Sequence, residues 1–144
     1  MRDNGKRVWL LGAVFATVAT AGGCKAAVPI YPGPQRPEAE IAVIEVDRLA
    51  FQAVDGHVVN TAEPRYEILP GSHAVTLRRD RLDRGVCFKA RAGHVYLARP
   101  VRGGGTWHPE VIDENVAQAV HSDEMPPFTS ECPGAPPRGP DEGG

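Results

Sequence analysis

The feature that most constrains the fold is a succession of short apolar segments separated by turn signals between residues 40 and 112. Asp55-Gly56 and Pro70-Gly71 each stand between two such segments. These residue types favour turns, because Gly adopts positive φ freely and Pro fixes its own φ. The segments are rich in β-branched residues and show little sign of a helical period. Strands at this spacing predict an all-β fold, a small antiparallel β-sandwich or open barrel, and we favour the sandwich.

The amino terminus has the composition of an export signal. Arg2, Lys6 and Arg7 precede the charge-free stretch VWLLGAVFATVAT, which is about 13 residues long. A helix of that length rises only about 20 Å, which is short of the roughly 30 Å hydrocarbon layer of a membrane. The pattern therefore favours a signal peptide over residues 1–23 rather than a stable transmembrane span.

The segment TAGGC, at residues 20–24, resembles the lipobox of bacterial lipoproteins. The resemblance implies cleavage between Gly23 and Cys24 and attachment of a lipid anchor to Cys24. Ala21 departs from the family pattern, which usually has Leu there. Lys25 stands where Asp favours retention in the inner membrane, so the resemblance implies the outer membrane, facing the periplasm. The alternative is an ordinary secretory signal, with Cys24 as a free thiol.

Residues 24–38 are rich in proline, which restricts both its own backbone and that of the preceding residue to extended conformations. This composition predicts a semi-rigid tether, extending about 3.1 Å per residue, that holds the domain off the membrane. The sequence leaves two alternatives open. One is a disordered leader, and the other is an edge segment at Tyr31–Pro34 that packs on the domain.

The carboxyl-terminal residues 123–144 are dominated by Pro, Gly and charge, so they are predicted to be disordered. Just before them, VIDENVAQAV predicts a strand pair with a turn at residues 113–115, with a short helix over residues 116–120 as the alternative. The predicted organisation is therefore a signal peptide (1–23), a tether (24–38), a β-sandwich domain (39–122) and a tail (123–144).

A second resemblance lies within the predicted domain, over about 27 residues of VDGHVVNTAEPRYEILPGSHAVTLRRD. The turn Val54-Asp55-Gly56 and the step Leu69–Val75, which reads LPGSHAV, resemble the PEGA-type β-sandwich modules of bacterial cell-surface proteins. Glu63-Pro64 departs from the Thr-Pro usual at that point of the pattern. The resemblance implies an immunoglobulin-like scaffold with a binding or structural role, and it carries over no catalytic residue.

The chain has three cysteines. If Cys24 carries lipid, Cys87 and Cys132 remain, and an exported chain meets an oxidising environment in which such a pair forms a disulfide. Alternation predicts that Phe88, Ala90 and Ala92 point inward, which places Cys87 on the outer side of its sheet. A tail returning over that side could bring Cys132 to it. The alternative is two free thiols.

Charge and motifs give little indication of enzymatic chemistry. The net charge of −2 provides no reason to expect a nucleic-acid partner or adsorption to an anionic membrane. The histidines lack metal-ligand spacing, so no metal or cofactor is expected. HSD at residues 121–123 has no accompanying G-x-S-x-G elbow. The histidines are His57, His73, His94, His108 and His121.

Two segments are candidates for binding. RRDRLDRG at residues 78–85 is predicted to be a solvated loop, with basic side chains that bind a sugar polymer or a lipid A phosphate as the alternative. RGGGTW at residues 102–107 lacks the Lys-Ser/Thr of a phosphate loop and is interpreted as a wide hairpin turn. Trp107 and Tyr96 could form a sugar-stacking platform, although core positions are the favoured interpretation for both.

Together these patterns predict a lipid-anchored protein of the bacterial cell envelope without enzymatic activity. It would reach the membrane through its anchor and bind an envelope protein or peptidoglycan. One alternative is a periplasmic inhibitor or chaperone-like factor that inserts RRDRLDRG or RGGGTW into a partner. An envelope hydrolase is the least favoured alternative.

Overall fold

The computed structural model of the chain describes residues 26–134. The predicted signal peptide, its cleavage site after Gly23 and the predicted lipidation of Cys24 lie outside the described residues, as do residues 135–144.

The described chain forms a small β-sandwich, as the sequence predicts. One sheet has the strand order β1-β5-β2-β8-β9-β10 and the other has the order β11-β7-β6-β3-β4. Most neighbouring strands are antiparallel, and the pairs β1–β5 and β2–β8 are parallel. The strands are β1 Val28–Pro29, β2 Ala42–Val46, β3 Ala50–Val54, β4 His57–Val58, β5 Arg65–Ile68, β6 Gly71–Arg79, β7 Leu82–Ala90, β8 Val95–Gly103, β9 Thr106–Asp113, β10 Gln118–Ala119 and β11 Ser122–Met125. A 3₁₀ turn at Glu38–Glu40 precedes β2.

The core lies between the two sheets and follows from alternation along the strands. Aromatic rings meet across it, with centroids 5.1 Å apart for Phe51 and Tyr66 and 5.2 Å apart for Phe88 and Tyr96. The prediction that Ala92 points inward is wrong, because β7 ends at Ala90 and the chain turns to the other sheet. The buried core residues are Ala42, Ile44, Phe51, Val54, Tyr66, Ile68, Val75, Leu77, Val86, Phe88, Ala90, Tyr96, Ala98, Trp107 and Val111.

The two turn signals of the sequence have different structural roles. Asp55 and Gly56, with φ of 51° and 80°, close the β3–β4 hairpin. Leu69 and Pro70 instead separate β5 from β6, which belong to different sheets, and Gly71, the first residue of β6, takes a φ of 122°. Both signals lie where one strand ends and the next begins, but only Asp55-Gly56 forms a turn between hydrogen-bonded neighbours. A turn signal marks where a strand ends, and it does not specify which sheet receives the next strand.

The prediction of a tether over residues 24–38 is wrong for residues 28–31, which bind to β5, whereas residues 32–37 are exposed and belong to no helix or strand. Val28 and Pro29 form edge strand β1 against β5, and the Ile30 N–H donates to the Glu67 carbonyl at 3.0 Å. The Tyr31 hydroxyl then donates to Glu67 Oε2 at 2.9 Å. Proline is compatible with this position because an edge strand leaves one side of its backbone without a ladder partner. The alternative of a packed edge segment is therefore closer to the structure, but the edge strand lies at Val28–Pro29 and not at the predicted residues 31–34.

The carboxyl-terminal boundary also differs from the prediction, because residues 122–134 belong to the domain. Strand β11 extends the second sheet beside β7. The chain then crosses the outer face of that sheet as a strap, where the Phe128 N–H donates to Thr76 Oγ1 at 2.8 Å. The strap ends at Cys132, which is disulfide-bonded to Cys87 as predicted. The bond fixes a segment that has too few apolar residues to be held by packing alone.

Candidate binding surface at the hairpin tips

Two hairpins converge at one end of the sandwich. Asp80 and Arg81 connect β6 to β7 with φ of 50° and 65°, and Gly104 and Gly105 connect β8 to β9 with φ of 60° and 79°. Positive φ at both central residues is the turn conformation that matches the twist of paired strands. The RRDRLDRG segment is therefore a strand hairpin rather than a solvated loop, and RGGGTW forms a tight turn rather than a wide one.

A groove of about 540 Å³ separates the two hairpin tips. Trp107 lines it and is 7% exposed, and its indole Nε1 is buried without a hydrogen-bond partner in the described chain. At the same end, Arg84 Nη2 donates to Thr106 Oγ1 at 3.1 Å and so links the two sheets. The remaining lining residues are Arg79, Asp80, Leu82, Arg102, Gly103, Gly105 and Thr106.

The hairpin tips are positively charged, although the whole chain carries −2. Residues 78–83 and 101–106 hold four arginines and two aspartates, which gives a local charge of +2. Arg78 is neutralised by Asp83 through two hydrogen bonds of 2.7 and 2.9 Å, which hold the pKa of that carboxyl below its usual value. Within residues 26–134, Arg81 and Arg102 form no ion pair. We refer to the surface formed by Arg79, Arg81, Leu82, Val101 and Arg102 as the tip surface.

Sequence reasoning singled out both segments as binding candidates but could not place them together. They are about 20 residues apart and belong to different sheets. In the structure β6 and β8 are both nine residues long and both end at these turns, but the strand lengths are a property of the fold that the sequence did not indicate.

Glu124 is the centre of an ion-pair network beside β7. Its carboxylate accepts hydrogen bonds from Arg84 at 2.8 Å and from His108 at 2.7 Å. Partial burial raises the pKa of Glu124, but these two partners outweigh burial and the net pKa lies below the usual value of 4.5. The folded state therefore binds the Glu124 proton more weakly than the unfolded state does. This stabilisation is present above about pH 4.5 and is lost as the pH falls through the lower, folded-state pKa.

We expect Glu124→Gln to reduce the loss of stability that acid causes. Because the group is 40% exposed, the effect is at most about 1 kcal/mol near neutral pH. Urea unfolding of the wild type and the variant between pH 3 and 7 measures it. The two free energies should converge at the acid end, and a constant difference across this range would contradict the assignment.

The two halves of the VDG…LPGSHAV pattern meet in the structure. Asp55 accepts a hydrogen bond from the Ala74 N–H at 2.9 Å, and its other oxygen lies 2.7 Å from His73 Nδ1. His73 Nε2 faces the Leu69 carbonyl at 2.5 Å. Both ring nitrogens of His73 thus contact groups of the domain itself, the Asp55 carboxylate and the Leu69 carbonyl. The arrangement joins the β3–β4 turn to the start of β6.

The other predicted chemical candidates lie apart from one another. His94 Nδ1 is 2.6 Å from Asp113 Oδ2, and exposed His121 lies 3.4 Å from Asp123. Residues 26–134 contain no group of three side chains suited to a metal ion. Tyr96 is 1% exposed, and its hydroxyl accepts the Arg91 N–H at 2.7 Å. Tyr96 is therefore a core residue, and it cannot form a sugar-stacking platform with Trp107.

Among residues 26–134, no helix has the length and apolar character needed to cross a membrane. In comparisons with known proteins, the chain matches no family model, no curated protein and no solved structure.

Proposed function

We propose that this chain is a lipid-anchored protein of the bacterial cell envelope, held by acyl chains on Cys24, and that its β-sandwich is a binding or structural module. The segment VWLLGAVFATVATAGGC after a positively charged start is the observation that carries the proposal. The sandwich would present its surface to a neighbouring envelope protein or to peptidoglycan. Outer-membrane attachment, facing the periplasm, follows from Lys25 in place of Asp.

The cysteine arrangement supports this proposal. Cys87 and Cys132 are bonded to each other, which leaves Cys24 as the third cysteine of the chain. Disulfides persist in oxidising compartments such as the bacterial periplasm and are rare in the cytosol. A structural disulfide is thus compatible with the export that the amino-terminal segment predicts. One acyl chain binds a membrane only marginally, whereas the two or three chains implied by the lipobox resemblance would bind stably.

Metabolic labelling of bacterial cells with palmitate tests the proposal. We expect label to be incorporated into the wild-type chain and to be lost completely in Cys24→Ser. The double variant Cys87→Ser/Cys132→Ser is the matched control, because it removes the other two thiols and should keep the label. Label that persists in Cys24→Ser, or is absent from the wild type, would refute lipidation at this residue.

A further inference from the structure

The direction of β1 indicates from which end of the sandwich an extended chain would enter the sheet. Strand β1 runs parallel to β5, β5 runs antiparallel to β2, and β2 runs parallel to β8. Strand β1 is therefore antiparallel to β8 and runs away from the Gly104-Gly105 turn. An extended chain on the amino-terminal side of Val28 comes from the direction of the hairpin tips.

The chain between Cys24 and Val28 is shorter than the distance by which the β8–β9 hairpin extends beyond the level of Val28. Cys24 stands four residues before Val28, so at full extension it lies at most about 14 Å from Val28. Val28 is the register partner of Tyr66, Tyr66 that of Ile44, and Ile44 that of Tyr96. Val28 therefore lies level with Tyr96 in the sheet. Gly103 is seven residues farther along β8, which is roughly 23 Å. A membrane that holds Cys24 therefore lies within reach of the tips.

The tip surface has the chemistry of a membrane contact. Arg81 and Arg102 have no ion-pair partner in the described chain, and guanidinium groups bind phosphates well. Leu82 and Val101 stand beside them and are 42% and 36% exposed. Exposed aliphatic side chains flanked by arginines suit the boundary between lipid headgroups and acyl chains.

We propose that the tip surface docks on the anionic lipid headgroups of the membrane that holds the Cys24 anchor. This inference depends on the proposed lipidation of Cys24, which supplies the membrane at close range. The net charge of −2 does not oppose docking, because charges act only over about 8–10 Å at physiological ionic strength. Charges at the far end of the sandwich are screened, and the local +2 of the tips determines the interaction.

Docking fixes the orientation of the sandwich. The tips face the lipid, and the opposite end, with the β3–β4 turn and the Asp55–His73 pair, faces away from it. A partner in the envelope would therefore meet the end of the domain that carries the VDG and LPGSHAV segments. The anchor would hold the domain against the membrane rather than at a distance from it.

Trp107 is a natural reporter of this orientation. The chain contains two tryptophans, Trp9 and Trp107, and removal of residues 1–23 leaves only Trp107. Trp107 pairs with Arg102 at the tip end of β9. The acylated protein, purified from cells, is placed in vesicles of phosphatidylethanolamine and phosphatidylglycerol that carry a dansyl group on some headgroups. Energy transfer from Trp107 to dansyl then measures how close the tips are to the lipid.

We expect efficient transfer in these anionic vesicles, and weaker transfer in phosphatidylcholine vesicles or at 1 M salt. Each arginine at an anionic surface changes the ratio of docked to undocked molecules by about five-fold, so Arg81→Gln/Arg102→Gln should lower this ratio about twenty-five-fold. The matched control is Lys89→Gln/Arg91→Gln, which removes the same charge at the opposite end and should retain full transfer.

Two separate measurements distinguish the failure of docking from the failure of anchoring. The mass of the purified protein reports acylation before any vesicle is added. If the protein is acylated but transfer is the same in both lipids and in both double variants, docking is refuted and the anchor stands. If no acyl mass is present, the anchor fails, and the docking inference fails with it.

Discussion

The double substitution Cys87→Ala/Cys132→Ala is expected to lower the free energy of unfolding by about 4 kcal/mol. The bond joins residues 45 apart, and the chain-entropy model assigns roughly that stabilisation to a loop of this length. The bond also holds the strap against the outer face of the second sheet, where Cys87 packs with Ala74 and Met125. Urea unfolding followed by circular dichroism measures the change.

The reduced wild type provides the matched comparison for the disulfide. A reductant should lower the stability of the wild type to that of the double variant, whose own stability should not respond to reductant. Equal stability of the oxidised wild type and the double variant, within about 0.5 kcal/mol, would show that the strap and its bond do not stabilise the sandwich.

The substitution Phe51→Ala is expected to lower the free energy of unfolding by about 3–5 kcal/mol. It removes a large side chain, and the surrounding core relaxes only partly into the cavity that is left. Phe51 is 0% exposed in β3 and meets the ring of Tyr66 edge to face from the opposite sheet. Thermal unfolding of the purified domain should show a large fall in the midpoint. Small domains are stable by only about 5–15 kcal/mol, so this variant could leave little folded protein.

Val58→Ala is the matched control for Phe51→Ala. Val58 lies in β4, which pairs with β3, but its side chain is 79% exposed. A change of no more than about 0.5 kcal/mol is expected there. If both substitutions cost the same, the assignment of Phe51 to the inter-sheet core would be wrong.

The sequence predicted local features of the fold well. The Asp55-Gly56 turn, the strand pair around residues 113–115 and the outward direction of Cys87 depend on turn chemistry and on alternation, which a short window of sequence contains. The Cys87–Cys132 disulfide could also be predicted, because assigning Cys24 to a lipid left only one intramolecular pair.

The errors arose where tertiary contacts override composition. Pro29 lies in an edge strand because one side of such a strand needs no donor, and composition alone indicated a tether. Residues 122–132 form a strand and a strap because β7 offers an open edge and Cys87 a covalent partner. The meeting of the two hairpin tips depends on sheet packing, which no segment of the sequence encodes by itself.

The mass of the mature amino terminus, measured on protein purified from bacterial membranes, tests the central claim most directly. The account predicts a chain that begins at Cys24 and carries the added mass of a diacylglyceryl group, with or without a further acyl chain. An amino-terminal peptide that starts at another residue, or that contains Cys24 as an unmodified thiol, would contradict it.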